Sequence, residues 1–207
     1  MFAKFAARQL SHPSGVVGTH VLPRIWNRRN AALNDAAFRA LQLRPGDRVL
    51  EVGFGGGYLL QKIAAVVTRG LLVGVDASMA VTIHAAQGVR WGLDSGAVAL
   101  SCAGVEALPL RSGSFTKVCS VNSLFYWPDL QAAFLEMARV LVPGGQVVLC
   151  FTCAASLKDK SFTRFGVSTH GDEEVARRLE RAGLFVATRS HGHDRHREFL
   201  CLTAARA

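Results

Sequence analysis

The chain is poor in the features that mark membrane-spanning or disulfide-built proteins. No apolar run among its 207 residues is as long as a bilayer span, and no signal-peptide pattern opens it, so neither a spanning nor an exported protein is expected. Its five cysteines are odd in number and irregularly spaced, which suits a reducing compartment such as the cytoplasm better than a disulfide framework. Cys150-x-x-Cys153 has no second such pair to complete a zinc site, and residues three apart on a strand point to opposite faces, so no metal centre is expected from that motif. Internal repeats and low-complexity tracts are absent. Acidic residues are scarce, 15 against 24 basic, and the net charge of +9 favours acidic partners: nucleic acid, anionic lipid or an anionic small molecule.

What is present is concentrated in residues 49–57, Val-Leu-Glu-Val-Gly-Phe-Gly-Gly-Gly. Val49, Leu50 and Val52 form the short apolar run of a strand buried on both faces. Glu51 interrupts that run, and an ionisable group there needs a partner. Gly53, Gly55 and Gly57 follow at alternate positions, and Tyr58–Ile63 then takes up helical spacing. Strand, glycine turn, helix is a geometry that lets backbone approach a bound cofactor. A second strand, Leu71–Val75, ends in Asp76, whose carboxylate is placed to accept from two ribose hydroxyls. The dinucleotide fingerprint Gly-x-Gly-x-x-Gly fails, because its third glycine falls on Tyr58.

The pattern that fits is Glu-x-Gly-x-Gly-x-Gly, Glu51 through Gly57. It resembles motif I of the class I S-adenosylmethionine (SAM)-dependent methyltransferases. Glu106–Leu110, Ser112–Phe115 and the strand Lys117–Val121 look like the family's passage from third to fourth strand. Glu136–Gly145 resembles its next helix, stopped here by Pro143-Gly144-Gly145 before the strand Gln146–Phe151. Leu179–Phe185 looks like its last helix and turn. The likeness runs from about Arg48 to the C-terminus. It implies an α/β, doubly wound, mostly parallel seven-stranded sheet with an antiparallel C-terminal hairpin, a Rossmann-like methyltransferase fold. Local patterns agree: a helix over Asn30–Leu43, another over Ser78–Gln87, a loop at Gly88–Gly96, a third strand at Val98–Ser101, and closing strands at about Leu184–Arg189 and Glu198–Thr203. His191–His196 reads as an exposed hairpin tip.

The resemblance also implies a cofactor, S-adenosyl-L-methionine, and residues to hold it. Glu51, Gly53, Gly55 and Gly57 would take the methionine end and Asp76 the ribose. Ala77 and Met79 would lie near the adenine, Val105 and Glu106 beside its edge, and Asn122 is counted with the same set. For Ala77, Met79, Val105 and Glu106, plain packing or surface roles fit equally well. Two positions depart from the family. The acid that accepts from the adenine amino group falls at Gly104, with Glu106 or a backbone carbonyl as replacement, and the usual Asp before the fourth strand is Thr116.

The acceptor half is less defined. The Asn-Pro-Pro-Tyr type of motif is missing, and Asn122–Pro128 looks more like the ubiquinone and menaquinone branch. Phe125, Tyr126 and Trp127 either wall an apolar acceptor pocket or pack beneath the next helix. His20, His170 and Tyr126 are the candidate catalytic residues, the histidines as general bases.

Residues 1–207 read as a single domain, with 1–29 a basic lid or anchor. Lys4, Arg8, Arg24, Arg28 and Arg29 all precede the first acid, Asp35, and Phe2, Phe5 and Leu10 give the start an amphipathic cast. A lid over the site, a contact with anionic membrane and a transit peptide all fit. The reading is an enzyme moving methyl from SAM to a small or lipid-like acceptor, such as a quinone, phenol or lipid, with no nucleic-acid partner expected. A nucleic-acid methyltransferase and a SAM-binding protein without catalysis are its rivals.

Overall fold

The computed structural model describes residues 22–157 and 168–207. Seven strands form one sheet in the order β3-β2-β1-β4-β5-β7-β6. They are β1 Arg48–Val52, β2 Leu71–Asp76, β3 Val98–Cys102, β4 Phe115–Val121, β5 Leu141–Thr152, β6 Leu184–His193 and β7 Glu198–Arg206. The first five are mutually parallel, and β7 runs antiparallel to both β5 and β6. Helices α1 Leu22–Arg29, α2 Ala31–Leu41, α3 Tyr58–Ala64, α4 Met79–Gly88, α5 Arg90–Asp94, α6 Leu130–Val140 and α7 Asp172–Arg181 surround it.

Alternating side chains send each strand's apolar residues to two cores. Leu50, Val118 and Leu149 join Phe134 and Met137 of α6 and Leu179 of α7. Val49, Cys119 and Val148 face the other way, onto Leu41 of α2, Ile63 of α3 and Val81 of α4. Caps fix where helices begin. Asp129 accepts from the Gln131 and Ala132 amides at the start of α6, and Ser78 accepts from the Val81 amide at the start of α4. Strand order reverses between β1 and β4, the place where open α/β sheets bind ligands beyond the carboxyl ends of their strands.

Several boundaries differ from the sequence expectation, each for a local reason. The segment Gly88–Gly96 holds the short helix α5 in place of a loop. Its Gly92 is required by packing, since a Cβ there would lie 2.4 Å from Val98 Cγ2. Helix α6 ends at Val140, before the proline, and Leu141 already pairs with Phe115. Pro143-Gly144-Gly145 is therefore a bulge inside β5, with Gly144 at φ 74°, and not a loop between helix and strand. The closing hairpin is longer than expected, paired down to His193 and Glu198. His191 and His193 are consequently strand residues, and the tip is only Asp194–Arg197, closed by the Asp194 carboxylate accepting from the His196 and Arg197 amides. A solvated edge strand carries polar side chains, so its composition resembles a loop. The expected helix from Asn30 is α2, and α1 stands before it.

Candidate functional site

The glycine turn is built by backbone conformations that side chains resist. Gly53, Gly55 and Gly57 have φ of 70°, 51° and 74°. The Gly53 amide donates to Val75 O at 2.7 Å, which extends the β1–β2 pairing into the turn. A Cβ at Gly53 would lie 2.5 Å from both Cβ and Oγ of Ser123, so the loop after β4 closes directly on the turn. Gly57 starts α3 and packs against Ala85 of α4, where an added Cβ would come within 3.1 Å. Beside this turn opens a cavity of about 410 Å³ at the carboxyl ends of β1, β2 and β4.

Three carboxyls, of Glu51, Asp76 and Glu106, line the cavity. Glu51 is only 2% exposed, and its Oε2 has no hydrogen-bond partner among the described residues. Burial, reinforced by the charge of Asp76, pushes its pKa well above the ordinary value. A cationic group bound there would satisfy both the orphaned oxygen and the buried charge. Asp76 accepts from the Gly55 amide at 3.1 Å and the Ser78 amide at 2.9 Å. Burial raises its pKa against the opposing pull of those two bonds. Asp76 thus holds the glycine turn against β2 and keeps lone pairs for a ligand. Glu106 stands on the 3-10 turn Val105–Ala107, with its Oε1 buried and unpartnered among the described residues. Its Oε2 lies 3.0 Å from where a Cβ of Gly104 would be. The Glu106 carboxylate therefore stands where a side chain at 104 would begin.

Amides, guanidiniums and rings complete the lining. Asn27, Arg29, Asn30 and Asn34 reach it from α1 and α2, Tyr126, Trp127 and Pro128 from the loop after β4, and Arg197 from the hairpin tip. Asn27 Nδ2 donates to Gly56 O at 3.0 Å, tying α1 to the glycine turn. Arg197 links four elements. It pairs with Asp194 at 3.5 Å, and donates to Thr152 Oγ1 at 3.3 Å, to Asn30 Oδ1 at 2.8 Å and to the Arg29 carbonyl. Asn122, at the rare φ of 55°, joins the same network by accepting from the amide and hydroxyl of Thr152 and donating to Asn30 Oδ1. Burial pushes the Tyr126 phenol up to about 12 despite the nearby Arg197, so at neutral pH it is a hydrogen-bond donor and not a base.

Of the residues named from sequence, the cavity brings together Glu51, Gly53, Gly55, Asp76, Ala77, Val105, Glu106, Asn122 and Tyr126. Gly57 stands behind the turn. Met79 is 59% exposed and does not line the cavity. His170 also stands outside its lining, with Nδ1 3.5 Å from Glu174 Oε2. His20 lies outside the described residues. Phe125 packs edge-on against Phe151 in the core, leaving Tyr126 and Trp127 as the aromatic wall. Thr116 is remote from the cavity, bonding Asp47 and the Arg48 amide at the opposite ends of the strands. The sequence reading passed over Asn27, Asn30 and Asn34. Three asparagines within eight residues, at positions 27, 30 and 34, are a usable signal, since asparagine is a weak helix former. Nothing local in the sequence marks Arg197.

Comparison with known proteins agrees with this geometry. Residues 50–149 match the methyltransferase-domain family. The chain is 33% identical over 139 residues to the uncharacterized methyltransferase YdaC of Bacillus subtilis, covering 65% of this chain and 75% of that protein. It is 37% identical over 108 residues to nocamycin O-methyltransferase of Saccharothrix syringae, which spans 51% of this chain and 38% of that enzyme. Its fold matches the geranyl diphosphate C-methyltransferase of Streptomyces coelicolor with a TM-score of 0.73 at 17% identity, covering 94% of this chain and 86% of that one. The chain therefore belongs to the class I SAM-dependent methyltransferases. It is a methyltransferase, and its methyl donor is S-adenosyl-L-methionine. The orphaned Glu51 oxygen and the glycine backbone that lines the cavity at Gly53, Gly55 and Gly56 fit that donor.

Proposed function

We propose that the enzyme methylates a small, partly apolar acceptor held in the half of the cavity walled by Tyr126, Trp127 and Pro128. In this reading Glu51 receives the SAM ammonium, the Gly53–Gly55 backbone lies along the methionine end, Asp76 takes the ribose hydroxyls, and Val105 and Glu106 meet the adenine. Bound SAM supplies an electrophilic methyl on a sulfonium, whose departure as a neutral thioether needs no acid. The protein's share is alignment and exclusion of water. Helix α1 takes part in that exclusion through its Asn27 bond to the glycine turn.

One observation carries the acceptor assignment: in the sheet order the lining carboxyls stand on or after β1, β2 and β3, whereas Tyr126, Trp127 and Arg197 come from the loop after β4 and from the β6–β7 tip, on the other side of β1. No histidine among the described residues lines it, and Tyr126 stays protonated, so the reading favours an acceptor whose attacking atom has already lost its proton at neutral pH, such as a carboxylate, an acidic phenol or an acidic enol. The names nocamycin O-methyltransferase and geranyl diphosphate C-methyltransferase, of two similar proteins, denote small acceptors. Five unbridged thiols favour work in the cytoplasm. Among the described residues no helix is long and apolar enough to cross a membrane. A peripheral contact would fall to the basic start of the chain.

The test is transfer of the labelled SAM methyl group to phenolic, quinone and lipid fractions. Label in one of these, lost in Asp76→Ala, supports the reading. Label entering RNA or DNA instead, with the salt dependence of phosphate binding, overturns it.

A further inference from the structure

Three side chains able to ligate a metal meet away from the cofactor cavity, on the sheet face covered by α7. Cys153 follows the end of β5, Asp172 opens α7 and His191 stands on β6. One donor atom of each lies within 4.8 Å of the other two. Register explains the meeting. His191 pairs with Leu200, and Leu200 with Phe151, so His191 points to the face of Phe151. Cys153, two residues further, falls on the same face. Helix α7 packs there through Val175 and Leu179, in one buried cluster with Phe151 and Leu200. None of the three side chains has a hydrogen-bond or ion-pair partner among the described residues.

We propose that Cys153, Asp172 and His191 bind a divalent transition ion, zinc by preference, with water in the fourth position. Thiolate, imidazole and carboxylate are the donor set that borderline-soft zinc takes, and three protein ligands with one open position is a known arrangement for it. Donors around tetrahedral zinc stand roughly 3.4–3.7 Å apart, so the observed spread needs a closure of about 1 Å. His191 is exposed and Asp172 half-buried, so both have room to rotate toward the buried, fixed Cys153. Binding exchanges the thiol proton for the metal, and the released proton goes to solvent. The alternative use of a cysteine beside a histidine and an acid is nucleophilic. Burial speaks against that, because a nucleophilic sulfur must be reached by its substrate and Cys153 is enclosed in the core. The ion would tie the end of β5, the edge strand β6 and the start of α7 at one point.

This inference is independent of the methyl-transfer reading, since none of the three residues lines the cofactor cavity. Full-length protein stripped with a chelator should bind one zinc ion by calorimetry, and zinc should raise its melting temperature by mass action. Cys153→Ser and His191→Ala should each weaken binding at least tenfold, while Cys102→Ser, at an exposed cysteine, leaves it unchanged. Cobalt should give a thiolate-to-metal absorption band in the parent that is lost in Cys153→Ser. Melting of each variant in chelator shows whether it folds, and the cobalt band of the parent reads sulfur ligation without any variant. Zinc affinity equal in parent, Cys153→Ser and His191→Ala, or a cobalt spectrum with no thiolate band, would overturn the site.

Discussion

The Glu106 carboxylate lies 3.0 Å from the point where Gly104 would carry its Cβ. The two positions are complementary: the space that a side chain at 104 would need is the space Glu106 uses, and Glu106 keeps a buried oxygen free of partners among the described residues. Glu106→Ala should therefore weaken SAM by about 1–1.5 kcal/mol, roughly tenfold, as expected for one hydrogen bond lost. Gly104→Asp alone should also weaken it through crowding, whereas the double variant should recover most of the loss. Calorimetric SAM affinities decide. Additive losses in the double variant would mean the two positions are not one acceptor.

Glu51 gives a pH prediction with a definite sign. Its folded-state pKa is raised by burial and by Asp76. Below the ordinary value of 4.5 the carboxyl is protonated folded and unfolded, and it costs nothing. Above it the unfolded chain releases the proton and the folded chain keeps it, so stability falls as pH rises toward the folded pKa. Glu51→Gln removes that slope. Without SAM the variant should melt above the parent at pH 7, on the order of 2–4 °C, with the gap closing toward pH 4. It should bind SAM at least tenfold more weakly. Parent protein should release protons on binding SAM, visible as a buffer-dependent binding enthalpy, and the variant should not.

At Gly55, φ of 51° makes any branched side chain strained by roughly 1–2 kcal/mol, and the side chain would project toward the cofactor. Gly55→Val should remain folded by circular dichroism yet show no measurable SAM binding. Near-normal affinity in that variant would show that the turn does not approach the donor.

Arg197→Met removes the tether between hairpin tip, Thr152 and Asn30 while keeping an apolar stem. The expected effect is a loss of about 1–3 kcal/mol in stability, because the bonds it makes to Asn30 Oδ1 and Thr152 Oγ1 are partly buried. The SAM dissociation constant should rise as α1 loosens. Urea unfolding and SAM titration read the two effects separately; unchanged values in both would show that the network is ornamental.

Deleting residues 1–21 tests the basic start of the chain. The expected outcome is near-normal melting with reduced methyl transfer, and loss of any salt-sensitive sedimentation with anionic vesicles. A fully active truncated protein would remove the lid.

The part of the site proposed to bind SAM is legible in the sequence because it is local. Glu51 to Gly57 is one contiguous turn, and Asp76 follows at the end of the next strand, so sequence order and spatial order coincide. The rest of the lining brings together Asn30, Tyr126 and Arg197, which are far apart along the chain and meet only through the sheet. Their residue types are also ordinary for surfaces. Edge strand β6 was partly hidden for a related reason: solvent on its faces removes the alternation that betrays a strand. The bulge at Pro143–Gly145 was read as a helix stop because proline and glycine serve both purposes, and only the pairing of Leu141 with Phe115 separates them.

Arg197 reaches Asn30 across 167 residues of sequence. A contact so distant closes late, since the loop must be brought together before the bond repays its entropy. During synthesis the sheet strands β1 to β5 can pair as they emerge, but the bonds from Arg197 to Thr152, Asn30 and the Arg29 carbonyl wait until the β6–β7 hairpin has been made. A chain halted before that hairpin thus has the glycine turn without the tether that joins α1 to the far side of the sheet.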